Sequence, residues 1–139
     1  MNYLPVYLDT SAIVKLVVLE RESETLYGAL GAWPDRVSSD VARVELHRAL
    51  WRAGSSRAAR ARADAVLSGL VLIRIDEPVL SRAASFDDRS LRALDALHLA
   101  TALSLGDDPD RFITYDSRLA RAAKSVGLHV EHPGVAKLA

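Results

Sequence analysis

The sequence predicts an α/β fold, a parallel sheet with helices packed on both faces, and three observations carry this expectation. Short apolar runs alternate with longer helical patterns from one end of the chain to the other, as strands joined by crossover helices require. The strand-like runs are apolar on consecutive residues, as in strands buried on both sides. Residues able to cap a helix stand where such runs give way to helical pattern, with Asp9, Thr10 and Ser11 the first example.

The elements follow in order. Tyr3 to Leu8 is an apolar run and reads as a buried strand, with a helix over Ala12 to Leu19. Glu22 to Trp33 is a second helix, stopped by Pro34. Arg36 to Ser38 is a short strand, after which Ser39 or Asp40 caps a helix through Arg52 that Gly54 ends. Ser55 opens an Ala- and Arg-rich helix to Gly69, and Leu70 to Ile75 is a strand. Pro78 suits the first turn of the next helix, and Phe86 to Ser90 is a loop. Leu91 to Leu105 is strongly helical until Gly106 and Pro109 break it. Phe112 to Tyr115 is a strand, Ser117 to Val126 a helix closed by Gly127, and Leu128 to Glu131 a last strand.

Length and composition agree. A chain of 139 residues is expected to form one domain with a substantial core. Half its residues are apolar, and 26% are charged with a net charge of zero, which argues against disorder. The absence of cysteine excludes disulfides and thiolate metal sites, and fits a reducing, cytoplasmic setting. No signal peptide and no bilayer-length apolar stretch is read, so no membrane association is expected. Net neutrality gives no global signal for nucleic acid.

Four carboxylates interrupt core-type surroundings: Asp9, Glu45, Asp95 and Asp116. A lone buried carboxylate is costly, so such acids are usually hydrogen-bonded, paired or bound to a cation. Asp9 and Asp116 each also read as a helix N-cap. Glu45 lies at the margin of an apolar stripe with Val41 and Ala49 a turn away, either reaching for solvent or pointing into a cleft. Asp95 has Leu99 four residues on, and its bland explanation is a surface pair with Arg92. His98 shares the face of Asp95 but reads as a satisfied structural histidine, and stays outside the proposed site. Ligands in parallel sheets bind beyond the carboxyl ends of the strands. If the strands before Asp9 and Asp116 are neighbours, these two acids converge there. An all-oxygen donor set favours Mg²⁺, with Mn²⁺ able to replace it, and divalent ions held by carboxylates recur in phosphodiester hydrolysis.

These residues in this order resemble the PIN domain family, and within it the VapC-type ribonuclease toxins. LDTSAIVKL resembles the family's first-strand motif, with Asp9 its first acid and Ser11 the hydroxyl behind it. Glu45 falls at the third-helix position, DALHLATAL from Asp95 is similar to the family's most recognisable helix, and ITYDSRLARAAKSVGL resembles its closing motif, with Thr114 supporting Asp116. The resemblance implies a three-layer α/β/α sandwich and a Mg²⁺-dependent endoribonuclease that inhibits translation. It also implies a homodimer restrained by a cognate antitoxin. Arg43, Arg48 and Arg118 are the candidate RNA-backbone contacts, within a wider group that includes Arg52, Arg57, Arg60 and Arg121. Trp33 and Trp51 read either as core or as antitoxin-facing surface. A haloacid-dehalogenase-like phosphatase is rejected because Ser11 stands where its second aspartate belongs. A non-catalytic PIN-like RNA-binding or scaffold module, and a PIN nuclease acting on DNA, are the alternatives.

Overall fold

The computed structural model describes residues 4–106 and 111–138. Tyr3, and the loop expected around Asp107, Asp108, Pro109 and Asp110, lie outside the described residues.

Five strands form one sheet: β1 (Val6–Leu8), β2 (Arg36–Ser39), β3 (Val71–Ile73), β4 (Arg111–Ile113) and β5 (Val130–Glu131). Their order across the sheet is β3-β2-β1-β4-β5, and every pairing is parallel. Tyr7 stands opposite Val37 on one side and Phe112 on the other, so β1 is central. Apart from β2, which runs one residue further than expected, the strands are shorter than the apolar runs that announced them. Leu4 and Pro5 lie outside β1, and Leu70, Arg74 and Ile75 outside β3. Proline's missing N–H makes it a poor member of a central strand.

Among the described residues, seven helices accompany the sheet: α1 (Thr10–Val17), α2 (Ser23–Leu30), α3 (Val41–Arg52), α4 (Arg57–Ser68), α5 (Glu77–Ser85), α6 (Ala93–Leu103) and α7 (Ser117–Ser125). Most boundaries fall within two or three residues of expectation, and the shifts have local causes. The first helix begins at Thr10 because the Asp9 side chain accepts from the Ala12 amide and caps it. The second ends at Leu30, ahead of Pro34. Asp40 makes no side-chain cap to α3; Ser39 Oγ instead accepts from the Val41 amide at 3.2 Å. Gly127 follows α7 with φ of 92°, the left-handed conformation that glycine adopts without steric cost.

Alternate residues of β1 feed two cores. Val6 and Leu8 pack with Ile13, Leu26, Leu30, Leu46 and Leu50 from α1, α2 and α3. Tyr7 turns to the other face and packs with Phe112, Leu99 and Leu119 beneath α6 and α7. The period of two along the strand thus sorts the helices into layers above and below the sheet. Burial of each such leucine contributes about 1.5–3 kcal/mol. Trp33 packs at the edge of the first core, whereas Trp51 is 59% exposed with the Arg60 guanidinium 4.4 Å above its ring.

Candidate active site

Parallel pairing of β1 with β4 places Asp9 and Asp116 at the same edge of the sheet. The Asp9 amide donates to the Ile113 carbonyl at 3.2 Å, extending the ladder one residue past the strand. Asp9 is only 3% exposed, and both its oxygens are engaged. Oδ1 accepts from Ser11 Oγ at 2.7 Å and from the Ala12 amide at 3.0 Å; Oδ2 accepts from Thr114 Oγ1 at 2.6 Å. Burial raises its pKa above the ordinary carboxylate value, against the opposing pull of His98, Thr114, Ser11 and the Ala12 amide. Ser11 and Thr114 also tie the two strand ends together: Ser11 Oγ accepts from the Tyr115 amide at 2.9 Å, and Thr114 Oγ1 from the Asp116 amide at 3.1 Å.

Asp116 caps α7, its Oδ1 accepting from the amides of Arg118 at 2.8 Å and Leu119 at 3.1 Å. Capping and site membership are therefore compatible, because a cap uses one carboxylate oxygen. Asp95 lies in the first turn of α6. Burial raises its pKa, and the negative charge of Asp116 and, more weakly, Glu45 pushes the same way; the Arg92 backbone and His98 oppose. No ion pair joins Asp95 to Arg92 among the described residues.

Glu45 projects from α3 and meets α1 and α6. Its Oε1 accepts from Thr10 Oγ1 at 2.7 Å and faces His98 Nε2 at 2.7 Å. Burial works to raise its pKa, but the hydrogen bond and charge of His98 and the bond from Thr10 bring it below the ordinary value. His98, set aside in the sequence, is 2% exposed and reaches Tyr7 with its other ring nitrogen at 2.8 Å. The only sequence signal was its place one turn after Asp95; that its partner would be Glu45 depends on the packing of α3 against α6.

One cleft of about 400 Å³ is lined by all four acids, together with Thr10, Ser11, His98, Arg48 and Arg52. Val14, Val41, Val44 and Leu94 form its apolar walls. Arg43 opens instead onto a neighbouring hollow shared with Asp40, His47, Asp64 and Leu67, where His47 Nε2 meets Asp64 at 2.9 Å. Arg118 follows Asp116 on α7 but is not among the residues lining the cleft. Among the described residues, no three acids or histidines form a ready metal cage. Asp9 is turned to its hydroxyl donors and Glu45 to His98. The donor set nevertheless fits a hard divalent cation. It is built from carboxylate oxygens, and the charges of Asp116 and, more weakly, Glu45 bear on Asp95, a repulsion that a cation neutralises.

Comparison with known proteins agrees with this architecture. The PIN domain family matches residues 6–125. Ribonuclease VapC46 of Mycobacterium tuberculosis (strain ATCC 25618 / H37Rv) is 48% identical over 128 residues, covering 92% of this chain and 97% of the relative. Ribonuclease VapC47 of M. tuberculosis (strain CDC 1551 / Oshkosh) is 36% identical over 136 residues, covering 95% and 99%. In fold, the chain is similar to M. tuberculosis VapC20, described as a sarcin-ricin loop cleaving toxin, with a TM-score of 0.71, 20% identity, and 92% and 99% of the two chains covered. It is also similar to a chain of a toxin–antitoxin complex from Klebsiella pneumoniae, with a TM-score of 0.63, 23% identity, and 81% and 88% covered. The chain belongs to the PIN domain family and, within it, to the VapC group.

Proposed function

We propose that this chain is a Mg²⁺-dependent endoribonuclease, the toxin of a type II toxin–antitoxin pair, which cuts RNA phosphodiesters in the cytoplasm and so inhibits translation. The observation that carries this reading is the convergence of Asp9, Glu45, Asp95 and Asp116 on one cleft that Arg48 and Arg52 also line. The ribonuclease names of the VapC relatives support the activity. The toxin–antitoxin complex among the fold neighbours supports a cognate antitoxin as partner. A homodimer belongs to the same proposal.

The residues divide the work by how each is held. Asp9, held by three donors, serves as the anchor of the set. Glu45 keeps its charge through Thr10 and His98. Asp95 has its proton affinity raised by burial and by Asp116, and gains most from a cation. Held by these carboxylates, Mg²⁺ or Mn²⁺ would supply positive charge at the scissile phosphoryl group and lower the pKa of a water there. Arg48 and Arg52 line the cleft and take the role of holding the flanking RNA phosphates, since a guanidinium can pair with two phosphate oxygens at once.

The test is cleavage of total cellular RNA by purified protein with Mg²⁺ or Mn²⁺, beside an EDTA control and identically prepared Asp9→Asn and Asp95→Asn proteins. Discrete, metal-dependent cuts lost in both variants are expected, and their positions identify the target RNA. Cutting that both variants retain, or none in any condition, refutes the reading. Single-stranded and duplex DNA in parallel lanes separate an RNA from a DNA nuclease.

A further inference from the structure

The contact that ties Glu45 to His98 has a direction. An ionised carboxylate offers only acceptors, so the 2.7 Å approach of His98 Nε2 to Glu45 Oε1 puts a proton on Nε2. Thr10 Oγ1 gives its hydrogen to the same oxygen, and its 3.1 Å contact with Nε2 is then one in which Thr10 accepts. The Tyr7 hydroxyl occupies the far side of the ring, 2.8 Å from Nδ1. Tyr7 is itself fixed: it stacks on Phe112 with ring centroids 5.2 Å apart and meets the His98 ring edge-on at 5.8 Å. The chain Tyr7–His98–Glu45 therefore runs from the central strand, through α6, to α3. Tyr7 is fully buried and His98 nearly so, which shields these bonds from competing water. Both donors converge on Oε1, and no hydrogen bond engages Oε2 of Glu45 among the described residues.

We propose that His98, braced by Tyr7, is a positioning residue that commits one oxygen of Glu45, leaves the other for the divalent cation, and so sets the metal affinity of the cleft. This rests on the metal-dependent nuclease reading above. A glutamate at a helix margin has three side-chain torsions to fix before it binds anything, and His98 and Thr10 fix them in advance. Partners of this kind typically change metal affinity or activity about 10–100-fold when removed.

The experiment compares wild type with His98→Leu, His98→Gln and Tyr7→Phe. Mn²⁺ affinity is measured by titration calorimetry, thermal melting without metal reports folding, and the ring tautomer is read from the ¹⁵N shifts of the metal-free wild type. The wild type should show Nε2 protonated. His98→Leu should weaken Mn²⁺ binding by about 10–100-fold. His98→Gln, whose amide N–H stands in for Nε2–H, should recover most of that loss. Tyr7→Phe, which deletes one oxygen and keeps the ring, should weaken binding to a lesser extent, and it carries the test if His98→Leu does not fold. A folded His98→Leu or Tyr7→Phe protein with wild-type Mn²⁺ affinity overturns the proposal. So does a folded His98→Gln protein no better than His98→Leu, or a wild-type ring protonated at Nδ1 alone. A wild-type protein that binds no Mn²⁺ and cuts no RNA refutes the nuclease reading, and this proposal with it. A wild type that does both beside unaltered variants refutes the positioning role alone.

Discussion

Replacing Thr114 by valine deletes one hydroxyl at the point where the two strand ends meet, and leaves a side chain of the same shape. Thr114 is completely buried, so no water replaces what is lost. The 2.6 Å bond to Asp9 Oδ2 disappears, and a hydrogen bond to a charged group is worth about 1.5–3 kcal/mol. The part-buried Asp116 amide also loses its acceptor, 3.1 Å away, where a fully buried donor left unpaired would cost about 1–3 kcal/mol. The two losses share one atom and partly relax together, which puts the expected destabilisation near 3 kcal/mol at neutral pH. By ordinary per-residue unfolding entropies, that lowers the melting temperature of a chain of this length by about 10 °C. The pH dependence has a definite sign. The Thr114 bond favours ionised Asp9, so its contribution is present where Asp9 is charged and fades as pH falls through the raised folded-state pKa of Asp9. Urea unfolding of metal-free wild type and Thr114→Val should therefore differ most at pH 7 and progressively less toward acid. A difference below about 0.5 kcal/mol at pH 7, within the range of ordinary surface substitutions, would refute the reasoning. A difference that does not change with pH would sink the assigned role of Asp9.

The other acids should behave differently from this anchor. Asp95→Asn should abolish cleavage yet melt, without metal, at or above the wild-type temperature, because burial and the charge of Asp116 already disfavour its ionised form; a clear drop in melting temperature counts against the repulsive cluster. Mg²⁺ or Mn²⁺ at a hundredfold excess over its dissociation constant should stabilise the wild type by about 2.7 kcal/mol and the Asp95→Asn protein far less, as differential scanning fluorimetry would register. Arg48→Glu with Arg52→Glu, made in an Asp95→Asn background, should weaken RNA binding and flatten its salt dependence by about one unit of slope per lost phosphate contact, measured by fluorescence anisotropy. An unchanged slope would remove these arginines from the RNA path.

Much of this architecture was legible in the sequence because the signals were local. Asp9 and Asp116 follow directly on strand patterns and precede helical ones, so both position and capping role could be read. The parallel neighbours β1 and β4 then bring them to one edge. The strands were read too long at β1 and β3, since apolar residues extend beyond the ladder: Leu4 and Pro5 before β1, and Leu70 before and Ile75 after β3. Treating capping and site membership as rivals was unnecessary: Asp116 caps through Oδ1 alone. His98 was not legible as part of the site, since its partners are non-local, Tyr7 being 91 positions away, Thr10 88 and Glu45 53. For the same reason the sequence could not distinguish Trp33, which packs on the core, from Trp51, which remains exposed.

The sheet order has a consequence for the birth of the molecule. The first strand ends up in the middle, and its neighbour on the side of Asp116 is made late: the Thr114–Asp9 bond joins residues 105 positions apart. A nascent chain emerging N-terminus first has Asp9 and Glu45 early, with β2 and β3 available to pair, but no β4 to complete the edge. Under the proposed ribonuclease function, this order of synthesis is a built-in delay. The four-acid cleft can be completed only once the chain has been made as far as Asp116.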